Sequence, residues 1–303
     1  MDFTLDINRD GEIRILQLTD TQVIFSYEGR ESNRETKLFA GVRKLVERTN
    51  PDLIVITGDI LYGRFDVDGK GQKEFNAFMD SLGIPWAPVY GNHDYENEMG
   101  QDWLNEQYRL AKYSFYAKGD VTGDSNYTIG IRQNGEYIRE LCMVDSNGWT
   151  RLEMEFQEDQ LDWIRNAAGE NGLPTLMFYH VPTEDFQDAA IAAGYQDGHE
   201  TKEDRKYFEI GVDVPAKNGD FGKKKESYGP NFGRLLPLMK EGHVDGVFVG
   251  HQHVANTSIL WEGIRFTFGL KTGTYDYHDE NALGGTLIRL NGREFSVEHQ
   301  YCQ

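Results

Sequence analysis

The sequence predicts an α/β fold in which two β-sheets pack face to face with helices outside. Three observations predict it. Over the first 110 residues, short apolar runs alternate with segments of helical periodicity, the mark of βαβ units. From residue 126 onward the pattern turns to alternating strands, with Asn-Gly dipeptides at 134–135 and 291–292 that suit tight hairpin turns. Five apolar runs end in a carboxylate, amide or imidazole, four of them directly after a threonine or glycine. In open α/β sheets ligands gather where strands end.

Taken in order, Phe3 to Ile7 alternates, Asn8-Arg9-Asp10-Gly11 turns, and Ile13 to Leu18 is apolar, which predicts a hairpin. The second strand ends in Thr19-Asp20-Thr21-Gln22. Asn33 to Thr49 carries Leu38, Val42, Leu45 and Val46 at helical spacing, and Pro51 closes it. Leu53 to Ile56 is a β-branched strand that ends in Thr57-Gly58-Asp59, with Tyr62 three residues on. Gln72 to Leu82 reads as a helix. Trp86 to Tyr90 is a buried strand that stops at Gly91 and at once presents Asn92, His93 and Asp94. Gly91 allows the backbone to turn and to approach a ligand. Glu96 to Leu110 completes a β-α-β-α-β-α order, which calls for a parallel sheet.

Asn126 to Arg132 and Tyr137 to Asp145 form a hairpin by pattern, and Glu158 to Ala168 a helix. Thr175 to Tyr179 is a strand that ends in His180. Residues 181–230 are polar, glycine-rich and charged, and read as an insertion or lid near the site; Lys223-Lys224-Lys225 within them reads as solvated surface. Phe232 to Glu241 is helical. Val244 to Val249 ends in Gly250-His251-Gln252-His253, and four further strands follow. There is no internal repeat, low-complexity tract or clean boundary, so residues 1–303 read as one domain.

Composition narrows the partners. The formal net charge is -19, which disfavours long nucleic acid and anionic membranes, since phosphate backbones are bound through Lys and Arg. An anionic substrate then needs a local reversal of sign, which bound cations supply. The two cysteines, Cys142 and Cys302, give no disulfide framework, and no segment resembles a signal peptide or a membrane span. A soluble, cytoplasmic protein is the expectation, although a trimmed leader would leave the same sequence.

The strand endings supply Asp20, Asp59, Asn92, His93, His180, His251 and His253. Oxygen and imidazole donors without thiolate suit Mn, Fe or Zn. The set is large enough for two ions if Asp59 bridges them. Two metals about 3.5–4 Å apart can clamp the attacking and leaving oxygens of a displacement at phosphorus. His199, His243, His278 and His299 lie outside these endings and read as surface or packing, Cys142 as core, and Asn126-Tyr127 as hairpin packing.

Asp20-x-Gln22, Gly58-Asp59, Gly91-Asn92-His93-Asp94, His180 and Gly250-His251-x-His253 resemble, in order, the five blocks of the calcineurin-like metallophosphoesterases. The resemblance spans about residues 13–270. It implies a four-layer α/β/β/α sandwich, a dinuclear centre, and hydrolysis of a small phosphomonoester or phosphodiester by a metal-bridging hydroxide. One metal would take Asp20, Asp59 and His253, the other Asp59, Asn92, His180 and His251. His93 would contact the phosphate or protonate the leaving oxygen, with Asp94 orienting it. Most members carry Asp-x-His in the first block, where this chain has Gln22. Either Gln22 ligates through its oxygen, or it holds a water, or Tyr62 completes the site as in the similar Gly-Asp-x-x-Tyr block of purple acid phosphatases; the other reading of Tyr62, slightly preferred, is a packed or rim aromatic. A non-catalytic scaffold and a mononuclear enzyme are the alternative readings.

Overall fold

The computed structural model describes residues 1–24, 33–148, 154–169, 172–194, 229 and 233–302. The strands are β1 (Phe3–Ile7), β2 (Ile13–Leu18), β3 (Leu53–Thr57), β4 (Trp86–Val89), β5 (Tyr127–Gln133), β6 (Glu136–Met143), β7 (Thr175–Phe178), β8 (Val244–Val249), β9 (Ser258–Trp261), β10 (Ile264–Phe268), β11 (Gly284–Asn291) and β12 (Glu294–Tyr301). The helices are α1 (Asn33–Thr49), α2 (Lys70–Ser81), α3 (Gln101–Leu110), α4 (Glu158–Ala167), α5 (Glu184–Ala192) and α6 (Leu235–Glu241).

They form two mixed sheets flanked by helices, the expected four-layer sandwich. One sheet has the order β1-β5-β6-β7-β8-β10-β9, the other β12-β11-β2-β3-β4. Strands β2, β3 and β4 are parallel, as the β-α-β-α-β order requires. In the larger sheet β6, β7, β8 and β10 are parallel neighbours.

Side-chain alternation divides the core. Leu141, Met143, Leu176, Phe178 and Phe248 join the cluster that contains the smaller sheet's Ile13, Ile15 and Ile54. Their neighbours Cys142, Val144, Met177, Tyr179, Val247 and Val249 point the other way, onto Leu161 and Ile164 of α4 and Leu235 of α6. On the opposite side Phe75 of α2 and Tyr108 of α3 meet the fully buried Trp86 edge-on. Burying each such aromatic stabilises the sandwich by roughly 2 kcal/mol.

Two expectations need correction. Phe3–Ile7 and Ile13–Leu18 are not a hairpin: β1 pairs in parallel with β5 in the larger sheet, whereas β2 lies between β3 and β11 in the smaller. The Asn8–Gly11 turn crosses between sheets, tied to the hairpin tip through Asn134 and to Asp52 through Arg9. Local turn chemistry was right, but it does not say which sheet the next strand enters. The helix expected over Glu96 to Leu110 begins at Gln101, after a short 3₁₀ turn over Asp94–Glu96. Of the expected insertion, α5 is a helix the sequence reading did not resolve, while 195–228, with His199 and the lysine run, lies outside the described residues.

Candidate metal centre

The ends of β2, β3 and β4 lie side by side in one sheet, and those of β7 and β8 in the other. Gln17 ties the two sheets at this end, its amide donating to Thr57 Oγ1 (2.9 Å) and to the carbonyl of Val249 (3.0 Å). The chain leaves these strands sharply. Asp20, Gln22, Asp59 and His251 all adopt left-handed backbone, with φ of 50°, 44°, 48° and 69°. Such strain in non-glycine residues persists where surrounding bonds enforce it, and it clusters at functional sites. Here Asp20 N–H donates to Gly58 O and Gln22 N–H to Asp59 O. At Gly91 and Gly250 a Cβ would collide with Asp59 and with Thr19, so only glycine allows the loops to close this tightly.

The turns bring the predicted residues together. Donor atoms of Asp20, Asp59 and His180 lie within 4.8 Å of one another, all buried. His180 Nε2 lies 3.3 Å from Asp59 Oδ1 and 3.2 Å from Asn92 Oδ1. His253 Nε2 lies 3.2 Å from Asp20 Oδ1. His251 reaches the same pocket, its ring 5.2 Å from that of His180 and its backbone N–H donating to Asp20 Oδ2.

Ring orientations are set from behind. His180 Nδ1–H donates to Thr57 O (2.8 Å) and His253 Nδ1–H to Tyr277 O (2.9 Å), which turns both Nε2 atoms inward. A carbonyl on the far nitrogen is how metal-binding histidines are commonly fixed.

The pocket demands positive charge. Burial opposes charge on Asp20, yet His253, His180 and Lys271 hold its carboxyl well below the usual range. Asp59 is likewise lowered against its burial by His180 and His93. Burial would lower His180, but Asp59 and Asp20 push it up to about 9, so a proton sits among the oxygens. His251 goes the other way: burial, then the neighbouring His180, lower it to about 3. Its buried Nε2 has no hydrogen-bond partner among the described residues, and neither has Asp20 Oδ1. Orphaned lone pairs beside paired carboxylates fit a cation.

His93 stands at the rim. Its Nδ1 meets Glu96 Oε1 at 2.8 Å, and its Nε2 is 4.0 Å from Asp59 Oδ2. Burial would lower its pKa, but Asp59 and Glu96 outweigh that and raise it.

Two expected roles change, and Tyr62 takes the second of its two readings. Asp94 does not orient His93; its oxygens accept the N–H groups of Ile60, Leu61 and Gly91, and Glu96 takes the ring. Tyr62 sits as a rim aromatic. It stacks on His93, with ring centroids 4.0 Å apart, and its hydroxyl accepts from Arg64. Burial, despite Arg64, pushes that hydroxyl up to about 12, away from tyrosinate. Gln22 presents nitrogen to the pocket: Nε2 lies 3.3 Å from both Asp59 Oδ2 and His253 Nε2, while Oε1 accepts from Lys271 Nζ at 2.7 Å.

Lys271, Glu96 and Tyr277 were missed. Lys271 had a readable signal, since it follows the apolar run Phe266–Leu270 as the other site residues follow theirs. Glu96 had a weaker one, three residues after His93 in a tight turn. Tyr277 acts through its carbonyl and ring, which sequence does not reveal. Asn126 and Tyr127 pack within the hairpin region, as expected, bonded to Asp145 and Pro88.

Residues 13–255 match the family model for calcineurin-like phosphoesterases. A probable inactive purple acid phosphatase from Arabidopsis thaliana is 23% identical over 318 residues, covering 90% of this chain and 73% of the relative. A probable cyclic nucleotide phosphodiesterase from Psychrobacter arcticus is 24% identical, covering 56% of this chain and 60% of the relative. Among solved structures, a dimetal phosphatase from Danio rerio superposes with a TM-score of 0.56 at 14% identity, covering 95% of this chain and 99% of the other. Purple acid phosphatase from yellow lupin gives 0.54 at 12% identity, covering 98% and 52%. These similarities establish the fold.

Proposed function

The chain belongs to the calcineurin-like phosphoesterase family, and on that footing we propose that it is a metal-dependent hydrolase of small phosphoric esters. The observation that carries the reading is the orphaned, neutral His251 Nε2 beside Asp59, Asn92 and His180. On this reading Asp59, Asn92, His180 and His251 hold one ion, and Asp20, Asp59 and His253 hold a second. The donor set suits Mn, Fe or Zn. Bound there, such ions would supply positive charge to the phosphate oxygens and would make an attacking water more acidic.

The protein's own groups do the rest. His93 faces the pocket with its proton retained by Glu96 and Asp59, so Nε2–H can be given to the leaving oxygen. Asp94 holds the turn that carries Asn92 and His93. Tyr62, Phe65 and Tyr275 form an aromatic rim, with Arg64 laid over Tyr62 and Phe65 as a cation beside it. A net charge of -19 favours a small ester over long nucleic acid.

A non-catalytic binding protein is the second reading. The Gln22 amide turned away from ligation favours it, as does the word "inactive" in the Arabidopsis relative's name. Hydrolysis of p-nitrophenyl phosphate and of its bis ester, with Mn²⁺ added, separates the two. Turnover of either that disappears in Asp59→Asn supports the hydrolase. No turnover of either by folded, metal-loaded protein supports the binding protein.

A further inference from the structure

Lys271 lies in the chain just beyond β10 and is 2% exposed. Its Nζ donates to Gln22 Oε1 at 2.7 Å and to the backbone carbonyl of Asp20 at 3.2 Å. An ammonium has three donors and no acceptor, so its partner must be the oxygen of the amide. That choice fixes the rest. The Gln22 NH₂ then points at Asp59 Oδ2 and His253 Nε2, both 3.3 Å away. His253 accepts there, because its Nδ1–H is committed to Tyr277 O.

The two halves of the centre are therefore unlike. In the half formed by Asp59 Oδ1, Asn92, His180 and His251, Asp59 Oδ1 accepts from the His93 backbone N–H and Asn92 Oδ1 from His180, but the His180 bond is one that ligation by His180 itself replaces, and a lone pair on His251 is left over. In the half formed by Asp20, Asp59 Oδ2 and His253, two donor atoms already receive N–H bonds from Gln22. An ion entering there must displace those bonds and sit beside a fixed ammonium. Asp20 Oδ1 alone remains without a hydrogen bond, 3.2 Å from His253 Nε2, so that position is weakened rather than closed.

We propose that Lys271 is a positioning residue that turns Gln22 away from the Asp20–His253 half of the centre and makes the ions load in order. The ion on Asp59, Asn92, His180 and His251 binds first and tightly. The ion on Asp20, Asp59 and His253 binds second and weakly. The inference rests on the metal-centre reading above. It concerns this chain's own lysine and glutamine, and its readout is binding rather than turnover.

The test is Mn²⁺ titration of the metal-free full chain, followed by equilibrium dialysis with elemental analysis and by EPR of free Mn²⁺. The wild type should retain one ion and fill a second only at concentrations about 100-fold higher or more, the scale of effect that outer partners of a site can exert. Lys271→Met frees the Gln22 oxygen and removes the ammonium; it should tighten the second ion at least about tenfold and leave the first nearly unchanged. Gln22→His replaces the turned-away amide with a ligand and should narrow the gap in the same direction, giving a second reading should Lys271→Met not fold. Lys271→Arg, which keeps a donor-only cation, should keep the gap. Two ions of equal affinity in the wild type, or a gap unmoved in folded Lys271→Met, overturn the proposal. No tight ion at all in the wild type overturns the metal-centre reading beneath it, an outcome distinct from the other two.

Discussion

His93 and Tyr62 lie face to face with ring centroids 4.0 Å apart, while Glu96 Oε1 holds the far nitrogen of the imidazole at 2.8 Å. The ring is thus fixed in plane and direction, and its inward nitrogen faces Asp59.

Replacing His93 by Asn should lower kcat by about 10²–10⁴-fold, the usual worth of a positioned proton donor. Glu96→Gln removes one of the groups that raise the His93 pKa. The alkaline limb of the pH–rate profile should therefore move to lower pH, with the metal content unchanged. Tyr62→Phe keeps the stack and loses only the hydroxyl held by Arg64, so the iron-loaded protein should show no tyrosinate-type colour before or after the change.

Metal binding should release a proton. His180 sits at about 9 because Asp59 and Asp20 outweigh its burial, so at pH 7 it is charged and must lose that proton to ligate. Affinity for Mn²⁺ should rise by up to about tenfold per pH unit between pH 6 and 8 and level off above 9. Calorimetry in two buffers of different ionisation heat measures the protons released, and none released at pH 7 would contradict this.

Asp94→Asn should destabilise the fold by about 1–3 kcal/mol, measured by urea unfolding. Its carboxylate receives the N–H groups of Ile60, Leu61 and Gly91, and an amide nitrogen in place of Oδ2 would face the Gly91 donor. Because the Gly91 turn carries Asn92 and His93, the same variant should weaken the first metal ion.

His299 gives the fold an acid-sensitive point remote from the centre. Its Nε2–H donates to Asn256 O, its Nδ1 accepts from Thr286, and burial lowers its pKa to about 4. A depressed histidine contributes stability above its unfolded pKa that is lost as pH falls through the folded value. On the order of 2–3 kcal/mol should disappear between pH 7 and 4, and His299→Gln should flatten that slope. An identical slope in wild type and variant would place the acid sensitivity elsewhere.

Much of this was legible because strand ends announce themselves. The runs ending before Asp59, Asn92 and His180 are apolar for four or more residues, those before Asp20 and His251 are mostly so, and each turns abruptly polar where the fold gathers its ligand-type side chains. Long-range choices were less legible. Nothing near Asn8–Gly11 says that β1 leaves for the other sheet, since that depends on β5, more than a hundred residues away. Gln22 could be seen as the odd position, but its orientation is set by Lys271, which reaches it only in the folded chain. Glu96 takes the place expected of Asp94 because a tight turn points the nearer carboxylate at backbone and the farther one at the ring.

The central claim is that carboxylates and imidazoles from two sheets hold cations at one point. Anomalous scattering at the manganese edge, from crystals grown with Mn²⁺, tests it most directly. The expected result is a strong peak bounded by Asp59, Asn92, His180 and His251, with a weaker one beside Asp20 and His253. Full-occupancy manganese elsewhere, with no peak between Asp59 and His251, would contradict it.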